Sequence, residues 1–218
     1  MNGTFSVAGE HPPRTGMTIS TVSGLRGSAE VTFFSLGAGT DISAEAYPVP
    51  RLYVGAGGRT DFSLENKGNM AHTAVCEGEL LTAPADILCG MASEGGSVYT
   101  EIVPGKEFTM NQAVKPGEVL KLADLVPYED GSIVNLDVAS GETMKFVVMA
   151  FDEGTGLAPH SAPGDALVFA LEGKGVIGYE GKEYPICAGE NFRFAKGGMH
   201  SVTADGRFKM ALLLMLEQ

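Results

Sequence analysis

The chain repeats one sequence pattern, and this internal repeat constrains the fold more than any other feature. The segment CEGE at residues 76–79 recurs as CAGE at residues 187–190, an offset of 111 residues. The same offset aligns Cys89 with His200. A long internal period indicates that each copy is one structural unit.

Upstream of these segments the two copies align at a larger offset of 117 residues. The aligned pairs are Gly37 with Gly154, Ser43 with His160, Glu45 with Ala162, and LYV at 52–54 with FAL at 169–171. This alignment predicts six additional residues in the first copy, which we place between Gly55 and Met70.

Local patterns predict strands throughout both copies. Thirty glycines and eleven prolines indicate many tight turns between short strands. Residues 144–151 are apolar and β-rich, residues 166–171 form a strand followed by a turn at 172–175, and residues 176–187 form a hairpin. The best helical candidate is a turn or two at 120–125, so the predicted fold class is all-β.

We place the boundary between the copies near residue 115, where turn sequences flank the junction. Residues 1–27 are predicted to be an N-terminal arm whose first 16 residues are loose or strand-exchanging. The two units then span 28–115 and 116–218.

The net charge of −12 argues against two classes of partner. Nucleic acids and anionic membranes both need basic protein surfaces. We see no signal peptide, and the longest apolar run, at 210–216, is too short to span a bilayer. Three cysteines form no disulfide framework, so a cytoplasmic location is expected.

The second copy carries two motifs. The first reads GTGLAPHSAPGDA at 154–166, and the second reads GENFRFAKGGMH at 189–200. These resemble the two motifs of the cupin family, G-x5-H-x-H-x3,4-E-x6-G and G-x5-P-x-G-x2-H-x3-N. The resemblance implies two tandem double-stranded β-helix barrels of jelly-roll type. It also implies a homodimer or an intrachain pseudo-dimer.

The resemblance implies a metal site from which half of the ligands are missing. His160 and His200 match the first and last family ligands, whereas Ala162 and Ala166 replace the second histidine and the glutamate. On a regular strand, Asp165 faces the opposite side. Two imidazoles plus waters would hold Fe, Mn, Ni, Zn or Cu weakly. Two alternatives stay open: a metal-free pocket in which the histidines act as hydrogen-bonding or acid–base groups, and a structural remnant.

The other predicted site residues line the insides of the two units. In the second unit they are Val168, Ala170 and Val202. In the first unit the alignment puts Ser43, Glu45, Val49 and Cys89 at the ligand positions, with Arg51 and Tyr53 pointing inward. The first site then holds a buried Glu45–Arg51 ion pair, an Arg51 site for a carboxylate or phosphate, or a Glu45/Cys89 metal site.

Two function classes follow from these patterns. One is a metal-dependent oxygenase or isomerase acting on a small organic molecule. The other is a non-catalytic, metal-free module that binds or senses a small molecule. The two surviving histidines favour the first class, and the missing ligands favour the second.

Overall fold

The computed structural model describes residues 3–105 and 107–216 of the chain. Within these residues there are seventeen strands, one short helix α1 (Val7–Glu10) and one 3₁₀ turn (Leu122–Leu125). The strands are β1 (Thr18–Val22), β2 (Glu30–Leu36), β3 (Thr40–Ala46), β4 (Arg51–Asn66), β5 (Asn69–Cys76), β6 (Glu79–Ala83), β7 (Leu88–Ser93), β8 (Ser97–Val103), β9 (Phe108–Met110), β10 (Leu120–Lys121), β11 (Ile133–Gly141), β12 (Met144–Phe151), β13 (Gly156–Ser161), β14 (Ala166–Tyr179), β15 (Lys182–Cys187), β16 (Asn191–Phe194) and β17 (Met199–Met215).

The strands form two sheets, which we call the first and second sheets. The first sheet has the order β1-β2-β8-β4-β6-β10, with β3, β5 and β7 paired at its side. The second sheet has the order β15-β14-β17-β12-β11-β9, with β13 and β16 at its side. The strands next to residue 115 cross over, because β9 joins the second sheet and β10 joins the first. No helix in the described ranges is long and apolar enough to cross a membrane.

Strand alternation builds three apolar cores, one inside each sheet and one between them. On β14, Val168 and Ala170 point into the core of the second sheet, whereas Leu167 and Phe169 point into the core shared with the first sheet. This pattern follows from the two-residue period of side chains along a strand. The first five residues of β14, 166–170, are apolar and buried on both faces, as a continuous apolar sequence indicates.

The predicted hairpin is confirmed, but the predicted turn before it is wrong. Tyr179 pairs with Lys182 across a two-residue turn, as the sequence indicates. Residues 172–175 do not form a turn, because β14 continues through them with two shifts of register. Gly173, with a φ of 74°, allows this local distortion without ending the strand.

The repeat is real, but its upstream offset is 115 residues rather than 117. Leu64 pairs with Cys89 as Tyr179 pairs with His200, so Leu64 corresponds to Tyr179. The first copy therefore has four additional residues, which extend the β4–β5 hairpin, and not six. A slip of two residues keeps every side chain on its own face, so apolar patterning cannot distinguish the two alignments.

Phe5 and Val7, in the N-terminal segment predicted to be loose or strand-exchanging, are fixed against the second sheet. Phe5 forms a bridge with Asn191, and the backbone N–H of Val7 donates to Asn191 Oδ1 at 3.0 Å. Val7 is completely buried in the core between the sheets. This segment therefore contributes apolar surface to the contact between the two sheets.

Candidate functional site

His160 and His200 face each other across two neighbouring strands. They are direct partners in the pairing of β13 with β17, and their ring centroids are 4.1 Å apart. His160 is exposed, whereas His200 is 6% exposed and stacks on Phe194 at 4.1 Å. A register shift of one residue in β13 after Leu157 sets this pairing. The pair therefore has one solvent-facing ring and one ring anchored in the core.

Both imidazoles leave the same nitrogen available. Nδ1 of His160 is 2.8 Å from the carbonyl oxygen of Ala158, and Nδ1 of His200 is 3.3 Å from that of Gly198. Because a carbonyl oxygen only accepts, each Nδ1 acts as a donor, and in the neutral imidazole the lone pair then lies on Nε2. Burial, aided by the nearby His160, lowers the pKa of His200. His200 is therefore kept in the neutral form that can bind a metal.

Within residues 3–105 and 107–216, no carboxylate completes this pair. Ala162 and Ala166 are 3% and 1% exposed and offer no donor atom. Asp165 points away, as predicted, and accepts hydrogen bonds from the Arg26 side chain and from the backbone N–H groups of Arg26 and Lys196. The Arg26 hydrogen bond lowers the pKa of Asp165 to about 2. Among the described residues, no group of three or more His, Cys, Asp or Glu side chains could hold a metal ion.

The predicted lining residues of the second sheet lie in a filled core. Val168, Ala170 and Val202 are 0%, 5% and 1% exposed and pack with other apolar side chains. A groove of about 330 Å³ lies beside His200, lined also by Tyr179, Met199 and Ser201 among others. The accessible space next to the histidine pair is thus this groove, and Val168, Ala170 and Val202 do not line it.

The first sheet has a different set of residues at the equivalent positions. Glu45 pairs with Cys89 as His160 pairs with His200. The backbone oxygens of Tyr47 and Ala162 accept equivalent hydrogen bonds from Asp86 and Gly197.

The ligand positions of the first copy are therefore Glu45, Tyr47, Arg51 and Cys89, because Arg51 pairs with Ala83 as Ala166 pairs with Phe194. The prediction from the sequence that Ser43 and Val49 occupy ligand positions is wrong, because the upstream alignment of the two copies was offset by two residues. Ser43 is exposed in the irregular part of β3, and Val49 is 40% exposed.

Arg51 forms its ion pair with Glu101 and not with Glu45. Its Nη1 lies 2.6 Å from Glu101 Oε1, and both side chains are largely buried. Glu45 instead accepts a hydrogen bond of 2.8 Å from the Tyr47 hydroxyl, and the Tyr47 ring covers the Arg51 guanidinium at 3.6 Å. Sequence reasoning missed Glu101, although strand alternation on β8 would have indicated that it points inward with Tyr99.

Cys89 and two tyrosines lie beside this ion pair. Tyr53 and Tyr99 are completely buried, and Cys89 is 2% exposed. Burial raises the pKa of the Cys89 thiol to about 11, and it also raises the pKa of Glu101. A protonated thiol is a poor metal ligand, so this arrangement does not favour a Glu45/Cys89 metal site.

Comparisons with known proteins agree on the fold. Residues 147–216 match the family model described as a cupin domain. A structure of a "Cupin 2 conserved barrel domain protein" from Leptotrichia buccalis is 24% identical and superposes with a TM-score of 0.85, covering 97% of this chain and 95% of that chain. No curated protein sequence is matched by this chain.

Oxalate decarboxylase from Bacillus subtilis is a more distant structural neighbour. One structure, whose title concerns its Mn(II) centres, is 13% identical with a TM-score of 0.58, covering all of this chain and 78% of that chain. Another is 12% identical with a TM-score of 0.57, covering 99% and 76%. Residues 147–216 thus match the cupin domain model, and the structural neighbours share the fold of this chain.

Proposed function

We propose that the second sheet holds a divalent transition metal weakly through Nε2 of His160 and His200, and that this metal presents open positions to a small molecule. The observation that carries this proposal is the cross-strand pair itself, with ring centroids 4.1 Å apart. Imidazole suits Fe, Mn, Ni, Zn and Cu. Two protein ligands leave the remaining positions of any of these metals to water or to the small molecule.

We propose further that each sheet forms a double-stranded β-helix barrel, so that the chain is a two-barrel cupin. The equivalent strand pairings in the two sheets support this interpretation. The partner is a small molecule, and we expect neither nucleic acid nor membrane. A homodimer in the cytoplasm remains our expectation from the sequence.

The proposal is tested by metal content. Untagged protein is dialysed to equilibrium against buffer that contains Fe, Mn, Ni, Zn or Cu, with or without a chelator, and the metal bound in excess of that in the dialysate is measured by mass spectrometry. We expect close to one metal per chain in wild type without chelator and little in His160→Ala/His200→Ala. His11→Ala/His72→Ala is the matched control, because it removes the other two histidines. Equal metal content in all three proteins would refute the site.

A metal-free binding module is the second candidate function, and one observation favours it. The two other ligand positions carry buried alanines, and Asp165 is fully occupied by Arg26 and Lys196. In this case the neutral His200 and exposed His160 donate and accept hydrogen bonds at the edge of the groove. Absence of metal uptake together with ligand binding that depends on these histidines would select this alternative.

A further inference from the structure

The core of the first sheet contains a polar cluster, which we define as Arg51, Tyr53, Cys89, Tyr99 and Glu101. The members come from β4, β7 and β8, and all but Arg51 are at most 8% exposed. The rings of Tyr53 and Tyr99 lie 5.8 Å apart, edge to face. The Arg51 side chain, 16% exposed, reaches Glu101 from the edge of the sheet. The second sheet has apolar residues at the matching positions, Ala166, Val168, Met210 and Leu212, apart from His200.

The cluster contains buried hydrogen-bond donors without acceptors. Nε of Arg51 and the hydroxyls of Tyr53 and Tyr99 have no hydrogen-bond partner among the described residues and no contact with solvent. The Tyr53 hydroxyl lies close enough to Glu101 and Cys89 to offset part of the rise that burial causes in the pKa of both, but it makes no well-aligned hydrogen bond with either. Folded proteins contain few such groups, and each one calls for an explanation such as a bound ion.

The cluster has more hydrogen-bond donors than acceptors, and this imbalance indicates which kind of ligand it would bind. Arginine has only donors, and Glu101 is the one carboxylate in the cluster, already bound to Arg51 Nη1. A ligand that supplies only acceptor oxygens would satisfy Arg51 and both tyrosine hydroxyls. We propose that this cluster is a metal-free binding site for a small monocarboxylate, separate from the histidine pair.

Charge selects a monoanion over a dianion such as phosphate. Arg51 and Glu101 neutralise each other, so one added negative charge in this buried site must be compensated. Glu101 is the group that can take up a proton, because its surroundings are Arg51, the protonated Tyr53, Tyr99 and Cys89, and the carboxylate of Glu30. A bound monocarboxylate is therefore expected to bind more tightly at pH 6 than at pH 8.

Tyr47 controls entry to the cluster. Its ring lies on the Arg51 guanidinium, and its hydroxyl donates a hydrogen bond to Glu45, which is exposed. To admit a ligand, the Tyr47 side chain must give up this hydrogen bond and its cation–π contact with Arg51. Movement of Tyr47 would expose Arg51 at the edge of the sheet, so a small carboxylate is the suitable probe.

The test uses sodium acetate as the probe, with acetamide as its uncharged counterpart, in saturation-transfer NMR titrations of the full chain in chelator. We expect acetate to bind wild type at least tenfold more tightly than acetamide. Tyr53→Phe/Tyr99→Phe should weaken acetate binding at least tenfold without lowering the thermal midpoint, because the lost hydroxyls have no partner. Tyr184→Phe, in the second sheet, is the matched control and should bind acetate as wild type does.

Two further variants keep the result interpretable. Arg51→Met/Glu101→Gln removes both charges together and should abolish the preference for acetate over acetamide. His160→Ala/His200→Ala should retain acetate binding, which separates this site from the proposed metal site. Equal binding of acetate and acetamide, or undiminished acetate affinity in the double phenylalanine variant, would overturn the proposal and leave a purely structural polar cluster.

Discussion

Glu45 lies directly opposite Cys89 across β3 and β7, in the same register that places His160 opposite His200 in the second sheet. One backbone geometry thus presents two chemically different pairs. The histidine pair offers two imidazole rings, whereas the first sheet presents a carboxylate and a protonated thiol. The two sheets are therefore expected to bind different ligands.

The pKa of His200 should reflect the burial of its ring. Burial is the main cause that lowers its pKa below 6.5, and the nearby His160 adds to it. In His160→Ala we expect the pKa of His200 to rise but to stay below 6.5, because the ring is still buried. NMR titration of the imidazole C–H signals measures this, with His200→Ala assigning the resonance. A pKa at or above 6.5 in wild type would contradict the packing described here.

Asp165 should stabilise the fold above pH 4 and lose this effect in acid. Its pKa is about 2 in the folded chain against 3.8 as the ordinary value, so the folded state binds fewer protons between these values. Stability is therefore gained above pH 4 and lost as the pH falls through 2. After allowance for the exposure of Arg26, Asp165→Asn should cost about 1–2 kcal/mol at pH 7.

Urea unfolding at pH 7 and at pH 2.5 measures this difference. The cost of Asp165→Asn should be clearly smaller at pH 2.5, and the exposed Asp205→Asn serves as the control with little effect at either pH. An equal cost of Asp165→Asn at both pH values would show that the carboxylate charge does not contribute to the free energy of unfolding.

The Arg51–Glu101 pair should be strongly coupled. Each single variant, Arg51→Met or Glu101→Gln, leaves a buried partner unpaired and should cost about 3 kcal/mol. The double variant should cost much less than the sum, because no unpaired charge remains. A double-mutant cycle by chemical denaturation gives this coupling energy, and additive costs would mean that the two side chains do not interact.

Two glycines with left-handed backbone conformation allow the energetic cost of a steric clash to be distinguished from the cost of backbone strain. Gly173 has a φ of +74°, and a Cβ there would lie 1.9 Å from the backbone oxygen of Arg207. Gly206 has a φ of +77° with open space around it. Gly206→Ala should cost about 1 kcal/mol from strain alone, and Gly173→Ala about 3 kcal/mol. Similar thermal midpoints for the two variants would contradict the close approach of β14 to β17.

The sequence predicted most of the architecture because the repeat, the turns and the two-residue periodicity are local signals. The strand at 144–151 and the hairpin turn after Tyr179 are both found as predicted. The predicted helical turn at 120–125 is found in part, as a 3₁₀ turn that follows the short strand β10. The upstream alignment failed because a two-residue slip leaves the apolar faces unchanged.

The candidate site was predicted less completely, because its polar partners come from distant positions. The meeting of His160 with His200 followed from the motifs. Neither the Glu101 partner of Arg51 nor the Arg26 partner of Asp165 has a sequence signal, since their separations of 50 and 139 residues are bridged only by tertiary structure. Buried carboxylates on one strand thus cannot be matched to their cations by spacing alone.

The most direct measurement of the metal proposal is electron paramagnetic resonance of Cu(II) bound to the chain. His11→Ala/His72→Ala, which keeps only His160 and His200, should show hyperfine coupling from two imidazole nitrogens at one copper per chain. Adding His160→Ala/His200→Ala should remove that coupling. A nitrogen coupling pattern that survives removal of His160 and His200, or that never appears with both present, would contradict a metal held by this pair.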